Sequence, residues 1–185
     1  MFIKPLNNNQ IDFIERNIDE SIGMTTINTT HFRIGLVDFP NSIPIDLLCE
    51  HFGNTKKLFL VYSTNKKIGA KATITISHNS NNLFSLSPLQ PPIIEGDNPY
   101  RQNKYRFPIS EKEFQFCCQA SSLDLEIDED NGIPPKKENW KEFVYLCKLL
   151  YQNVYDRNAF PETAAYLQEK KEELVKINDM RNNNK

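Results

Sequence analysis

The chain has 185 residues, of which 39% are hydrophobic and 25% charged, and its formal net charge is −2. This size suffices for a hydrophobic core, and we expect residues 1–185 to form a single α+β domain. The near-neutral balance lacks the basic field of proteins that bind nucleic acid or anionic membranes without specificity. No apolar run approaches the ~20 residues that span a bilayer, so we expect a cytoplasmic protein with no membrane contact.

The first residues and the cysteines agree with that location. The start, MFIKP, has no long apolar segment of the secretory kind. The four cysteines, Cys49, Cys117, Cys118 and Cys147, form no C-x-x-C pair, which argues against a zinc ribbon or a thioredoxin-like motif. We expect reduced, mostly buried thiols, although their even number leaves disulfides possible.

Three elements are predicted before residue 53. Residues 9–22 are expected to form a helix that ends at Gly23, because isoleucines recur there at steps of three and four: Ile11, Ile14, Ile18 and Ile22. Residues 31–39 are apolar on both faces and predict a strand. Pro44 suits the first turn of a short helix over residues 44–52, closed by Gly53.

The middle of the chain is predicted to be mostly β. Residues 57–64 are strongly apolar, and residues 69–78 alternate apolar with polar side chains, so the two segments predict a β-hairpin. A short strand should follow over residues 83–87. Residues 88–99 contain four prolines and predict an ordered surface loop.

Three more strands and a helical pair complete the prediction. The strands are expected over residues 104–109, 113–119 and 123–127, the last with a solvated acidic face. Residues 138–179 predict a helical hairpin, whose first helix has an apolar face formed by Trp140, Phe143, Val144, Cys147, Leu150, Tyr151 and Val154. We therefore predict a mainly antiparallel sheet of about five to seven strands, with the N-terminal helix and the C-terminal helical pair packed on it.

One segment interleaves cations with aromatic rings. Tyr100, Arg101, Lys104 and Tyr105 could bind a ligand, with rings that stack and cations that hold anions. The alternative is a strand whose long cationic side chains cover apolar surface. Since the chain is slightly acidic overall, we favour the strand and expect no nucleic-acid partner.

Other local patterns do not indicate a cofactor or metal. Pro88 and Pro91 form a Pro-x-x-Pro, but no Arg or Lys lies nearby to orient it on an SH3-type domain. A stiff loop is the favoured reading. The three histidines have no metal-binding spacing, and no glycine-rich nucleotide-binding motif occurs. We therefore expect no bound metal and no cofactor.

A dispersed set of residues has an order seen in one enzyme family. Arg33 lies on a predicted strand, Ser63-Thr64 ends another, and Glu111-Lys-Glu113 begins a third. This order resembles that of the Arg-Ser-Glu class of ADP-ribosyltransferases. The resemblance implies that Arg33 and Ser63 would shape an NAD site and that Glu113 would stabilise the developing oxocarbenium. Asn65 stands where the family has the last serine of Ser-Thr-Ser.

The favoured function is a non-enzymatic protein–protein interaction module, such as a small regulatory, inhibitor or immunity-type subunit. The reason is that architectural patterns are clear while catalytic motifs are not. The thin apolar stripe of the last helix, beside its charged QEKKEE segment, suits either loose packing or a partner protein. Two alternatives stay open: the NAD-dependent transferase based on Arg33, Ser63 and Glu113, and a structural subunit of a larger assembly.

Overall fold

The computed structural model describes residues 13–29, 45–79, 81–96 and 102–183. Within these ranges the chain forms ten β-strands and three α-helices. The strands are β1 (Ile14–Asp19), β2 (Met24–Thr29), β3 (Ile45–Phe52), β4 (Thr55–Thr64), β5 (Thr73–His78), β6 (Asn81–Leu86), β7 (Ile93–Glu95), β8 (Gln102–Ile109), β9 (Asp124–Asp128) and β10 (Lys136–Asn139). The helices are α1 (Glu111–Gln119), α2 (Lys141–Val154) and α3 (Glu162–Asn183).

The strands form two antiparallel sheets. A six-stranded sheet has the order β1-β2-β3-β4-β8-β7, and a four-stranded sheet has the order β10-β9-β5-β6. The mixed helix and strand content and the antiparallel pairing confirm the coarse α+β prediction. The six-stranded sheet agrees with the predicted antiparallel sheet of about five to seven strands, but the prediction did not include the second, four-stranded sheet.

One hydrophobic cluster joins the inner faces of both sheets to the helices. Alternate residues of β4 and β8 enter it from the six-stranded sheet, and those of β5 and β9 from the four-stranded sheet. Helix α2 contributes the predicted apolar face, of which Trp140, Phe143, Val144, Cys147 and Leu150 are buried. Its aromatic stripe therefore completes the core.

Two segments predicted as helices are strands. The N-terminal helix over residues 9–22 is wrong for the part that the structure describes, which contains β1; isoleucines at even positions share one face of a strand as readily as one face of a helix. The predicted helix over residues 44–52 is also wrong. Its described part is β3 (Ile45–Phe52), in which the buried residues Ile45, Leu47 and Cys49 alternate with more exposed ones.

The predicted hairpin over residues 57–64 and 69–78 is wrong in its pairing. Both segments contain strands, but β4 pairs with β3 and β8, whereas β5 pairs with β6 and β9. The connection between them is anchored elsewhere, since the Gly69 amide donates to the Glu129 carbonyl at 2.8 Å. That contact directs the chain from one sheet into the other.

The predicted strand over residues 113–119 is wrong, because this segment belongs to α1. Ser110 caps the helix and forms a capping box with Glu113. The buried residues Phe114, Cys117 and Cys118 follow helical spacing. The Ser-x-x-Glu pattern from Ser110 to Glu113 is the local sequence signal for the start of this helix, and the strand prediction did not take it into account.

The other predictions divide into confirmed strands and untested segments. Strands occur near the predicted ranges 83–87, 104–109 and 123–127. The proline-rich segment contains the short strand β7, and α2 and α3 lie in the C-terminal third. The predicted strand over residues 31–39 lies outside the described residues.

Candidate binding groove

A groove lies where β3, β4 and β8 of the six-stranded sheet meet α1 and the end of α2, and the alternation of β4 explains part of its lining. Leu58, Leu60 and Tyr62 point into the core. Lys57 and Phe59 therefore point to the opposite face. This outer face carries both a cation and a ring that is itself almost fully covered.

Arg106 on β8 covers the Phe59 ring. Its guanidinium carbon lies 5.3 Å from the ring centroid, within cation–π range. Its Nη1 donates to Glu50 Oε1 on β3 at 2.8 Å. Glu50 thus holds the guanidinium over the ring and neutralises its charge. Arg106 therefore contributes more to the shape of the groove than to its net charge.

The wall next to β8 comes from the proline-rich segment. The Leu89 amide donates to the Arg106 carbonyl at 2.8 Å, which fixes this segment beside the strand. Leu89 is 40% exposed. The groove has a volume of about 500 Å³ and is lined by Glu50, Lys56, Lys57, Leu58, Phe59, Leu89, Arg106, Pro108, Ile109, Ser110, Glu111 and Tyr155.

The groove is slightly positive. Its lining has three cations, Lys56, Lys57 and Arg106, against the two carboxylates Glu50 and Glu111. Lys56 Nζ lies 4.4 Å from the Tyr155 ring centroid. Lys57 is exposed and has no ion-pair partner among the described residues. An incoming anion could therefore pair with Lys57 without displacing an existing ion-pair partner.

The end of the groove meets the first turn of α1. The Ser110 amide and hydroxyl both donate to Glu113 Oε2, at 2.9 and 2.6 Å. The Glu113 amide in turn donates to Ser110 Oγ at 3.3 Å. The Glu113 carboxylate is therefore used in capping. Burial raises the pKa of Tyr155 to about 12, with the Glu111 charge adding to the effect, so the tyrosine stays neutral.

The sequence-predicted ligand-binding residues are divided by the fold. Lys104 and Tyr105 are neighbours on β8 and point to opposite faces. Lys104 pairs with Glu95 at 2.6 Å, whereas Tyr105 is buried and its hydroxyl accepts from the Ile68 amide at 3.2 Å. Tyr100 and Arg101 lie outside the described residues. Neither described residue lines the groove; Arg106, one position further on, does.

Ser63 lies near the end of β4, whereas Glu113 lies in α1, which begins beside the first part of β4. Leu58 pairs with Ile109, which directly precedes the α1 cap. Ser63 lies five residues further along β4, a distance of about 16 Å at the usual rise of a strand. Arg33 lies outside the described residues. The structure therefore does not bring Ser63 and Glu113 to one site.

A polar cluster also lies between the sheets. Glu129 is 5% exposed and accepts hydrogen bonds from the Tyr62 hydroxyl on β4, from Lys136 Nζ on β10 at 3.1 Å, and from Asn131 Nδ2 at 2.8 Å. Lys136 Nζ also donates to the Tyr62 hydroxyl at 3.2 Å. We call these four residues the inter-sheet cluster.

The protonation states of the inter-sheet cluster suit structure more than acid–base chemistry. Burial alone would raise the pKa of Glu129, but the hydrogen bonds from Tyr62 and Lys136 outweigh it, and the pKa is lowered. Burial and the bond to Glu129 raise the pKa of Tyr62. Although burial opposes it, bonding to Tyr62 and Glu129 raises the pKa of Lys136. At neutral pH the cluster is thus an ion pair with a neutral phenol.

The four cysteines are free and buried. Burial raises the pKa of Cys49 to about 11 and raises the pKa values of Cys118 and Cys147 as well. Thiolates are the nucleophilic form, so these sites have little of it at neutral pH. Their environment is that of core side chains.

Comparisons with known proteins do not add a function. Neither family models, nor curated proteins, nor solved structures gave a match to this chain. Among the described residues, no group of three or more histidine, cysteine or acidic side chains is arranged to hold a metal ion. No described helix combines the length and apolar character needed to cross a membrane.

The sequence contains a pattern that indicates the groove, and it is separate from the more noticeable aromatic and cationic segment near Lys104. Lys57 and Phe59 are two residues apart on β4, and Arg106 and Pro108 are two apart on β8. On each strand a cation and an apolar residue therefore share the outward face. Finding the groove also requires the register of β4 with β8, which places Phe59 opposite Pro108.

Proposed function

We propose that this chain is a non-enzymatic protein–protein interaction module, a small regulatory, inhibitor or immunity-type subunit, and that the groove is where its partner binds. The observation that carries the proposal is the groove itself. It combines exposed apolar walls at Leu89 and Pro108 with the exposed cation of Lys57. Such a combination is typical of surfaces that recognise proteins, where apolar contacts supply affinity and charges supply orientation.

The ionisable groups elsewhere favour this function over catalysis. The Glu129 carboxylate is buried and already accepts three side-chain hydrogen bonds. The Glu113 carboxylate caps α1. The separation of Ser63 from Glu113 leaves the transferase alternative without a geometric argument. The buried free thiols support a reducing location such as the cytoplasm.

Affinity capture from a lysate of the source organism tests the proposal. Wild-type protein, Lys57→Glu and Lys67→Glu would be used side by side. Lys67 is an exposed lysine beyond the other end of β4 and does not line the groove, so its variant has the same charge change at a different place. We expect a protein that is recovered by wild type and Lys67→Glu and is lost with Lys57→Glu.

The contrary result is equally defined. Identical recovery with all three forms would show that binding does not use the groove. Absence of any specifically recovered protein would contradict an interaction module under the conditions of the lysate. Circular dichroism of the variants would verify that each is folded, so that loss of capture reports binding.

A further inference from the structure

We infer that the groove recognises an extended acidic peptide segment of the partner, in which an apolar residue and an Asp or Glu are two positions apart. This inference rests on the proposed function, since it names the kind of segment that the proposed partner presents.

The spacing of the groove matches that of an extended peptide. Pro108 on β8 lies opposite Phe59, and Lys57 lies two residues before Phe59 on the same face of β4. Pro108 is therefore a diagonal neighbour of Lys57, and such neighbours on adjacent antiparallel strands are about 7–8 Å apart. In an extended peptide, side chains at positions i and i+2 point to one side and are about 6.6 Å apart along the chain. One residue can therefore contact Pro108 while the second reaches Lys57.

The charge of the groove selects an acidic residue for the second position. Glu50 is paired with Arg106, and Lys56 lies over the Tyr155 ring. Lys57 has neither kind of contact among the described residues. A carboxylate placed there gains a charge-assisted contact without breaking an existing pair. A basic segment would instead add to the excess of positive charge.

The apolar part of the groove is suited to an aliphatic side chain. Phe59 is only 4% exposed, because Arg106 covers its ring. The accessible apolar surface beside Phe59 is that of Leu89 and Pro108, and the other ring of the lining, Tyr155, has Lys56 over it. Stacking of a nucleic-acid base needs an open aromatic face. The groove therefore favours a peptide with a residue such as leucine over a single-stranded nucleic acid.

The experiment uses a fluorescein-labelled peptide, Gly-Glu-Ser-Leu-Ser-Glu-Gly, titrated with the full chain and followed by fluorescence anisotropy. It carries a glutamate two residues from the leucine on both sides, so it tests the spacing in either chain direction. Control peptides replace both glutamates by glutamine, replace the leucine by serine, or move the glutamates next to the leucine. A labelled oligothymidine of similar length tests nucleic acid.

We expect saturable binding of the acidic peptide at low salt. Each peptide control should bind at least about fivefold more weakly, the size of one exposed charged or apolar contact. Lys57→Glu should weaken binding about tenfold or more, and Lys67→Glu by less than about twofold, since only the first places like charges together. The oligothymidine should bind more weakly than the peptide.

Several outcomes would overturn the inference. These are no saturable binding, equal binding of the glutamine peptide, equal effects of the two lysine variants, or tighter binding of the oligothymidine. Such outcomes leave the proposed function separately testable. If capture of a cellular partner still depends on Lys57 while the acidic peptide does not bind, the groove binds a protein but not this kind of segment.

Discussion

The inter-sheet cluster should make a large and pH-dependent contribution to stability through Tyr62. Tyr62→Phe removes the hydroxyl that donates to the buried Glu129 carboxylate while leaving the ring in the core. A hydrogen bond to a charged group is worth about 1.5–3 kcal/mol. We therefore expect the free energy of unfolding to fall by about 2 kcal/mol at pH 7.

The contribution of Lys136 should be smaller. Its side chain is 41% exposed, so water can partly replace it beside Glu129. We expect Lys136→Met to cost about 1–2 kcal/mol, less than the loss of a partner from a fully buried ion pair. Because both partners bond to the same carboxylate, the double variant should deviate from additivity by at least about 0.5 kcal/mol.

The pH dependence has a defined sign. The pKa of Glu129 is lowered in the folded chain, so its stabilising effect is fully present above its unfolded value of about 4.5. It is lost as the pH falls through the lower, folded pKa. The difference between wild type and Tyr62→Phe should therefore shrink at acid pH. Tyr105→Phe is the control, since its hydroxyl accepts from a neutral amide and its effect should not follow the ionisation of a carboxylate.

Urea denaturation followed by tryptophan fluorescence measures these differences. Trp140 is the single tryptophan and is buried, so unfolding changes its surroundings. A cost below about 0.5 kcal/mol for Tyr62→Phe, independent of pH, would refute the account of the inter-sheet cluster. So would an equal pH dependence for Tyr105→Phe.

Three further predictions concern packing and local structure, and urea denaturation followed by circular dichroism checks each. Trp140→Ala should cost about 3–5 kcal/mol because the ring is buried, and a loss below about 1 kcal/mol would show that it is not part of the core. Ser110→Ala should cost about 1 kcal/mol through loss of the α1 cap, whereas Ser121→Ala, at an exposed serine outside the helices, should be nearly neutral; equal effects would argue against the cap. Gly69→Ala should cost about 1–3 kcal/mol, because the added Cβ would overlap Asp130, while Ala70→Ser at the exposed neighbour should change little; a neutral Gly69→Ala would mean that the two segments are not in close contact.

The sequence predicted elements best where two features agreed. Helix α2 has a wide apolar face and sufficient length, and the strongly apolar β4 is rich in strand-forming residues. The spacing of apolar residues alone does not distinguish a helix from a strand in the N-terminal segment. The isoleucines at positions 14, 18 and 22 fit both a helix and a strand, and only the pairing of β1 with β2 decides between them.

Pairing between distant strands was beyond the reach of local patterns. The segment after β4 has the alternation of a hairpin partner, yet β5 joins the other sheet. The contact of Gly69 with Glu129 links residues far apart in sequence. Such long-range contacts leave no signal in a single sequence, because neither residue is unusual where it stands.

The candidate groove, like the fold, depends partly on local patterns and partly on strand pairing. The types of residue that form the groove were visible on β4 and β8, but their meeting depends on the register of the two strands and on the anchoring of Leu89 beside β8. The cations and aromatic rings near Lys104 are close together in the sequence, which is why they suggest a single binding site. Alternation divides that pattern between the core and the outer face.

Site-specific photo-crosslinking in cells of the source organism tests the central claim most directly. A photoreactive p-benzoylphenylalanine would replace Leu89, on the groove wall, or Leu83, a leucine of similar exposure on β6 that does not line the groove. We predict a discrete protein adduct from position 89 that is absent from position 83 and is lost when Lys57→Glu is added. No adduct at position 89, or the same adduct from both positions, would contradict the claim that this groove binds a partner protein.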